Sequence, residues 1–493
     1  MRTVNKIIVI CLLFFSFFDL NIQAQEKSGS MTLQECIDIA HGKSPSAKIA
    51  KKTYENNIMT YNAFKAGFYP QASITGSLPG LIREINPILQ NDGTELFLSR
   101  SQLSGNTNLL ITQKVPFTGG EISLSSGINR IDALEPAYIR GWSTTPLAIY
   151  LRQPLFQYND INWNMEIQDA RAEYYDKQFI ESMESISINV TTKFFNLYIS
   201  EMNVKNAELN VSINDTLYQL SRGRFIIGTI AENDLLHSEL ELANANNSLR
   251  EAKLSYLQTL DELKIALGFN ESRELKIIPP RELPHFKIDI DKAIVQAQNN
   301  SSEILFIRLS QVQAERDLDR AESMNSFNAT LTASYGLNKS AGEFNSLYSD
   351  LLDQERLNLQ FSVPLFQWGK GSSEIEAALA SQYKTGYELE LNKKNFEIRI
   401  KYEILNFERL QQQVAIAARS DTIATRRFEV AKNRYMIGKI DMNALFIAQR
   451  EKDEAVQKFF KTLRDYWTAY YTIRKLTLYD FKNDEQIFYQ VAD

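Results

Sequence analysis

Few side chains in this sequence stand close enough together to do chemistry. Asp38, His41 and Ser44 fall within seven residues and supply the residue types of a nucleophile set. They lie on one predicted helix, with no nucleophile elbow and no oxyanion loop beside them, so acyl transfer is not indicated. Three histidines (His41, His237, His285) and two cysteines (Cys11, Cys36) leave no grouping from which to build a zinc site or a thiol pair. The residues predict no catalysis, no cofactor and no metal.

What remains is charge at special backbone positions. Arg224-Phe225-Ile226-Ile227-Gly228-Thr229-Ile230 returns as Arg434-Tyr435-Met436-Ile437-Gly438-Lys439-Ile440. Gly228 and Gly438 are placed to end one helix and open the next, where a left-handed backbone favours glycine. Arg224 and Arg434 stand four residues earlier and would at least complement a helix C-terminal dipole. Just past the two turns come Glu232 and Asp234 in the first instance and Asp441 in the second. These acids either decorate a solvated helix start or, multiplied by symmetry, form an acidic ring that attracts cations.

The elements that must hold these residues are written twice. Gln153-Pro154-Leu155-Phe156-Gln157 returns as Val363-Pro364-Leu365-Phe366-Gln367, at the same 210-residue offset as the Arg-aromatic-x-x-Gly turns. Upstream, Ala72-Ser73-Ile74 matches Ala329-Thr330-Leu331 at an offset of 257, so the first copy carries 47 extra residues. The reading gives a first repeat over 25–269, a linker over 270–290 with Pro279, Pro280 and Pro284, a second repeat over 291–480 and a tail over 481–493. Residues 1–24 read as a secretory signal peptide: Arg2 and Lys6 precede an apolar run from Ile7 to Phe18, and Ile22-Gln23-Ala24 offers the cleavage site.

Within each copy the hydrophobic period changes. Ala72, Ile74, Gly76 and Leu78 alternate with polar neighbours, as do Leu357, Leu359, Phe361 and Val363, which predicts strands with one apolar face over about 71–153 and 329–363. Each alternating stretch is about seven to ten residues, close to what a tilted strand needs to cross a bilayer, although a soluble sandwich would show the same pattern. Ile161 to Arg222 contains no Gly or Pro and predicts one very long helix; long helical hairpins are expected over about 161–267 and 371–479. Leu235, Leu242, Leu249, Tyr256 and Leu263 recur every seven residues, beside Ser238, Ala245, Ala252, Thr259 and Ala266. Leu445, Phe459, Tyr466 and Ile473 repeat the seam, which Lys452 interrupts.

The 493 residues carry 54 basic and 60 acidic side chains, a formal charge of −6, which gives no basic footprint for nucleic acid. No stretch after residue 20 is long and apolar enough for a spanning helix. Strands can cross a bilayer only as a closed barrel, and four to six from one chain are too few, so several copies would have to share one.

In this arrangement the chain resembles the TolC-type outer-membrane efflux and secretion ducts, from Thr32-Leu33-Gln34-Glu35-Cys36-Ile37 to the last helix near Tyr479. The resemblance implies an internally duplicated α plus transmembrane β fold: a trimeric β-barrel in the outer membrane, continued by a long periplasmic helical barrel. It implies a homotrimer among outer-membrane lipid, docking to a periplasmic adaptor and an inner-membrane pump. By the same resemblance Arg224, Gly228, Arg434 and Gly438 mark adaptor-contact tips, and Glu232, Asp234 and Asp441 a candidate periplasmic gate. The chain departs from the family in two places. The best-known gate has paired aspartates after the second tip where this chain has Asn443 and Phe446, and the 47 extra residues exceed two strands per copy. The extra hairpin, turning at Pro116-Phe117-Thr118-Gly119-Gly120, either joins the barrel, giving 18 strands rather than 12, or lies outside it. The competing reading is a periplasmic coiled-coil scaffold or adaptor without a pore.

Overall fold

The computed structural model describes residues 30–490 apart from 136–137, 271–274, 281–283, 285, 438 and 441. The leader lies outside the described residues. The chain divides into two compact units, one of residues 1–44 with 190–283 and the other of 45–189 with 284–493.

The elements run in the order β1 (Met31–Thr32), α1 (Leu33–Lys43), α2 (Pro45–Ala66), β2 (Gln71–Leu89), β3 (Glu95–Val115), β4 (Gly120–Glu135), β5 (Ile139–Leu155), α3 (Asp160–Ile226) and α4 (Glu232–Leu267). They continue with β6 (Ile277–Ile278), α5 (Ile290–Asn300), α6 (Ser302–Met324), β7 (Asn328–Ala341), β8 (Leu352–Ser362), α7 (Lys370–Met436), α8 (Met442–Thr477), β9 (Tyr479–Asp480) and β10 (Glu485–Gln486). The duplication is visible in the helices themselves. Helices α3 and α7 are each 67 residues long, and α4 and α8 each 36.

In the first unit, α1 begins with a capping box. Thr32 Oγ1 accepts the Glu35 N–H at 3.3 Å, and the Glu35 carboxylate accepts the Thr32 N–H at 2.8 Å. This fixes the start of the helix, whose Leu33, Cys36, Ile37 and Ala40 are buried. β1 pairs in parallel with β6, so the start of the first repeat meets the linker that follows it. The lone described thiol, Cys36, is fully buried, and burial together with the Glu35 charge pushes it up to about 12. Along α4, the seam residues Leu235, Leu242, Leu249 and Tyr256 are half-buried and Leu263 is buried, whereas Leu254, Leu257 and Ile265 stand exposed on another face. Ser200 and Thr259 hydrogen-bond at 2.6 Å, and Lys193 pairs with Glu262 at 3.2 Å across the α3–α4 hairpin. The small residues on this seam thus allow close approach of the two helices.

The second unit holds a six-stranded sheet in the order β2-β3-β4-β5-β7-β8, antiparallel throughout. The extra hairpin is therefore part of this sheet, because β3 and β4 form a ladder with both β2 and β5. The strands are longer than the alternation suggested, from 11 residues in β8 to 21 in β3. Pairing continues where alternation breaks: between Ser77 and Gly80 the register shifts at a bulge beside Pro79, and the ladder resumes to Leu89.

The helical part of this unit has its core between α7 and α8. Phe396, Ile400, Ile404, Phe407 and Val414 face Phe459, Leu463, Tyr466 and Ile473, with Phe407 stacked on Tyr466 at 5.0 Å between ring centroids. Lys452 is retained on the seam because its ammonium lies over the Phe428 ring at 4.8 Å and pairs with Asp453 at 3.3 Å.

Candidate functional site

The first helix turn is built by backbone hydrogen bonds. The Thr229 N–H donates to the Arg224 carbonyl at 2.9 Å and the Gly228 N–H to the Phe225 carbonyl at 2.9 Å. This is the paired closure of a helix C-terminus that requires a left-handed residue, and Gly228 has φ 75°. The Thr229 hydroxyl adds a third bond to the Arg224 carbonyl at 2.8 Å. In the second turn the Lys439 N–H donates to the Arg434 carbonyl at 2.9 Å, the same closure in the other repeat. Gly438 and Asp441 lie outside the described residues.

Arg224 is thus placed by its backbone, with its side chain in solvent. Next to it the chain exposes Ile226 (75%) and Ile227 (73%), and the second turn exposes Ile437 (64%). An aliphatic surface at the end of a long helix is costly in water, so these turns carry the features of a contact surface. Glu232 and Asp234 occupy the first turn of α4, both exposed, where the helix dipole favours negative charge. Ala231 caps that helix without a side-chain bond.

The sheet supplies the second feature. On one face, Ile74, Leu109, Leu147, Ile149, Leu357, Leu359 and Phe361 are exposed. Exposed aromatics gather at its two ends: Tyr69, Phe117, Phe156, Phe366 and Trp368 at the junction with the helices, and Phe97, Tyr138, Phe344 and Tyr348 at the far turns. An apolar band between aromatic belts is the surface of a transmembrane strand sheet. The opposite face carries Ser73, Thr75, Thr112, Ser123, Thr332, Ser334 and Asn358, set by strict alternation along paired strands.

Of Asp38, His41 and Ser44, the first and last serve the helix that carries them. The Gln34 amide donates to the Asp38 carboxylate at 2.9 Å, and Ser44, buried, closes the end of α1 through its N–H on the Ala40 carbonyl.

Sequence reasoning missed a buried polar cluster in the second unit. Arg474 grips the fully buried Glu184 with two bonds, Nη2 to Oε1 at 2.8 Å and Nε to Oε2 at 3.1 Å, and reaches Asp480 with Nη1 at 2.8 Å. Tyr489 donates to Glu184 at 2.6 Å and Tyr470 to Asp480 at 2.8 Å. Burial opposes the charge on Arg474, but attraction from Glu184 and their hydrogen bonds outweigh it and raise its pKa. Glu184 and Arg474 stand 290 positions apart, which leaves no local signal.

A sheet with one lipid-type face, joined in sequence to duplicated hairpins of long helices, defines the fold class of the chain. Residues 116–269 and 293–477 match the model of the family described as outer membrane efflux protein, and the chain belongs to that family. It is 23% identical over 251 residues to the outer membrane protein TolC of Escherichia coli strain K12, covering 48% of this chain and 49% of that one. The TolC of Salmonella enteritidis is 24% identical over 246 residues, 48% of each chain. The chain thus spans about half the length of the curated relatives it matches. In fold it is similar to the Campylobacter jejuni CmeC outer membrane channel, with TM-score 0.63 and 15% identity over 90% of this chain and 85% of that one. Family membership places the protein at the outer membrane and removes the enzyme reading.

Proposed function

We propose that three copies of the chain close one barrel in the outer membrane and one helical tunnel beneath it, and that this duct carries substrates outward from an inner-membrane pump through a periplasmic adaptor. The observation that carries the reading is the sheet. Its six strands are too few to close alone, and among the described residues its edge strands β2 and β8 have no outer neighbour. In lipid an open edge leaves backbone groups unsatisfied at several kcal/mol each, so β8 of one copy pairs with β2 of the next. Three copies give eighteen strands. Exposed leucines along α4 and tyrosines such as Tyr383 and Tyr387 along α7 are then buried between copies.

The turn residues take roles within this duct. Arg224 and Gly228, with Arg434 and Gly438, present the adaptor-contact tips. Glu232, Asp234 and Asp441 line the periplasmic mouth, where threefold repetition makes an acidic ring. Both assignments are tested in assembled protein. Arg224→Glu with Arg434→Glu is expected to abolish adaptor cross-linking and export while trimers persist; export at the original level would remove the tips from the docking surface. Asp234→Asn with Asp441→Asn is expected to lower the cation preference of single channels in planar bilayers, and unchanged selectivity would put these carboxylates outside the pore.

A further inference from the structure

Six arginines lie in the strand sheet, and four are held by neighbours. Arg83 donates to Glu135 at 2.8 Å, Arg100 to Gln102 at 3.0 Å, Arg130 to Asp132 at 2.6 Å and Arg140 to the Tyr138 hydroxyl at 3.0 Å. Among the described residues, the guanidinium groups of Arg152 and Arg356 have no hydrogen-bond or ion-pair partner, and both residues are exposed. Their places are set by the ladder. Lys114, Glu121, Arg152 and Thr332 stand in one cross-strand row, and Ser123, Tyr150, Ser334 and Arg356 in the next. Both rows are on the polar face, because Leu151, Leu357 and Leu359 alternate to the other side. Both rows also lie toward the helix-bearing end of the sheet, a few residues from Val115 and Leu155 where β3 and β5 finish.

Glu121 offsets only one of the three positive charges of Lys114, Arg152 and Arg356. It is opposite both Lys114 and Arg152, yet the described residues contain no ion pair within 4.0 Å between them, and its Oε1 takes the Ser123 hydroxyl at 3.4 Å. Glu121, Ser123, Tyr150, Arg152, Ser334 and Arg356 line a cavity of about 270 Å³. Two uncommitted guanidinium forks at its rim present geometry that matches carboxylate, phosphate or sulfate oxygens.

We propose that Lys114, Arg152 and Arg356 form an anion-attracting collar inside the strand barrel, which concentrates anionic groups locally at a level separate from the acidic periplasmic mouth. The collar rests on the duct reading above: in a closed barrel the polar face lines the lumen, and threefold closure multiplies the excess positive charge at one level. Low-dielectric walls focus that field on the passing solute. The arginines bind no solute permanently; they raise the local concentration of anions at the step between helical tunnel and barrel.

The test reads local potential directly. In the full chain, Ser334→Cys places a thiol opposite Arg356 and one row from Arg152, while buried Cys36 in the parent chain serves as the background control. Detergent-extracted trimers are treated with an anionic (sulfonatoethyl) and a cationic (trimethylammonioethyl) methanethiosulfonate, and the ratio of the two rates is compared with that of a free thiol. The ratio should favour the anionic reagent, fall about tenfold in Arg152→Gln with Arg356→Gln, and be restored by Arg152→Lys with Arg356→Lys. An unchanged ratio in trimeric Gln variants would overturn the collar while leaving the duct standing. Trimers in which the introduced thiol reacts with neither reagent would overturn the collar by placing the polar face out of water, and protein that never assembles would overturn the duct reading and the collar with it.

Discussion

Arg474→Ala is expected to cost about 3–5 kcal/mol of stability, because it leaves buried carboxylates without their cation. Glu184 is 0% exposed and Asp480 3%, so neither gains enough water to replace what the guanidinium supplied. Tyr489 and Tyr470 still donate one bond each, but a hydroxyl cannot cancel a charge. Arg474→Lys should lose less, keeping the charge while giving up the two-pronged grip on Glu184. The consequence is architectural: the tie holds the segment after α8 and the early part of α3, both in the second unit, to one another. Thermal unfolding of the assembled protein checks this, and an Arg474→Ala variant that melts with the parent would show that the cluster is solvated.

The second large effect separates two glycines of similar backbone. Gly228 has φ 75° and Gly268 φ 73°, both left-handed. A Cβ on Gly228 meets nothing within 4 Å, so Gly228→Ala is expected to cost only the backbone strain, about 1–2 kcal/mol. A Cβ on Gly268 would stand 2.6 Å from the Lys43 carbonyl oxygen and 3.1 Å from its carbon. Those are backbone atoms at the end of α1, so Gly268→Ala adds a displaced main chain and is expected to cost about 2–5 kcal/mol. Limited proteolysis and yield of assembled protein distinguish the two; equal tolerance at both positions would mean that the α1 end yields freely.

The parts of this molecule that were readable in sequence are those whose signal is local or repeated. The absence of Gly and Pro marks the long helices, and the 210-residue offset ties the two Arg-aromatic-x-x-Gly turns together. Strand alternation identified the apolar face but not its extent. The ladder from Gly80 to Leu89 depends on partners in β3, and a bulge beside Pro79 resets the pattern. Alternation was also silent on whether the extra hairpin joins the sheet, since a strand's pattern names its buried face and not its neighbour. The Glu184–Arg474–Asp480 cluster was invisible because buried ion pairs carry no spacing rule when their members come from distant elements. Arg152 and Arg356 differ from the other four arginines of the sheet only in lacking partners, which the ladder and not the sequence pattern determines.

The duct and the collar both depend on one claim, that the outer edges of the sheet at β2 and β8, unpaired among the described residues, are closed by further copies of the same chain. The mass of the detergent-extracted protein measures this most directly, by light scattering with the detergent contribution subtracted. The result expected is a single species of three copies that resists denaturing detergent in the cold and falls to single chains on heating. A monodisperse single chain with a complete barrel would contradict the account, because six strands would then have closed on themselves.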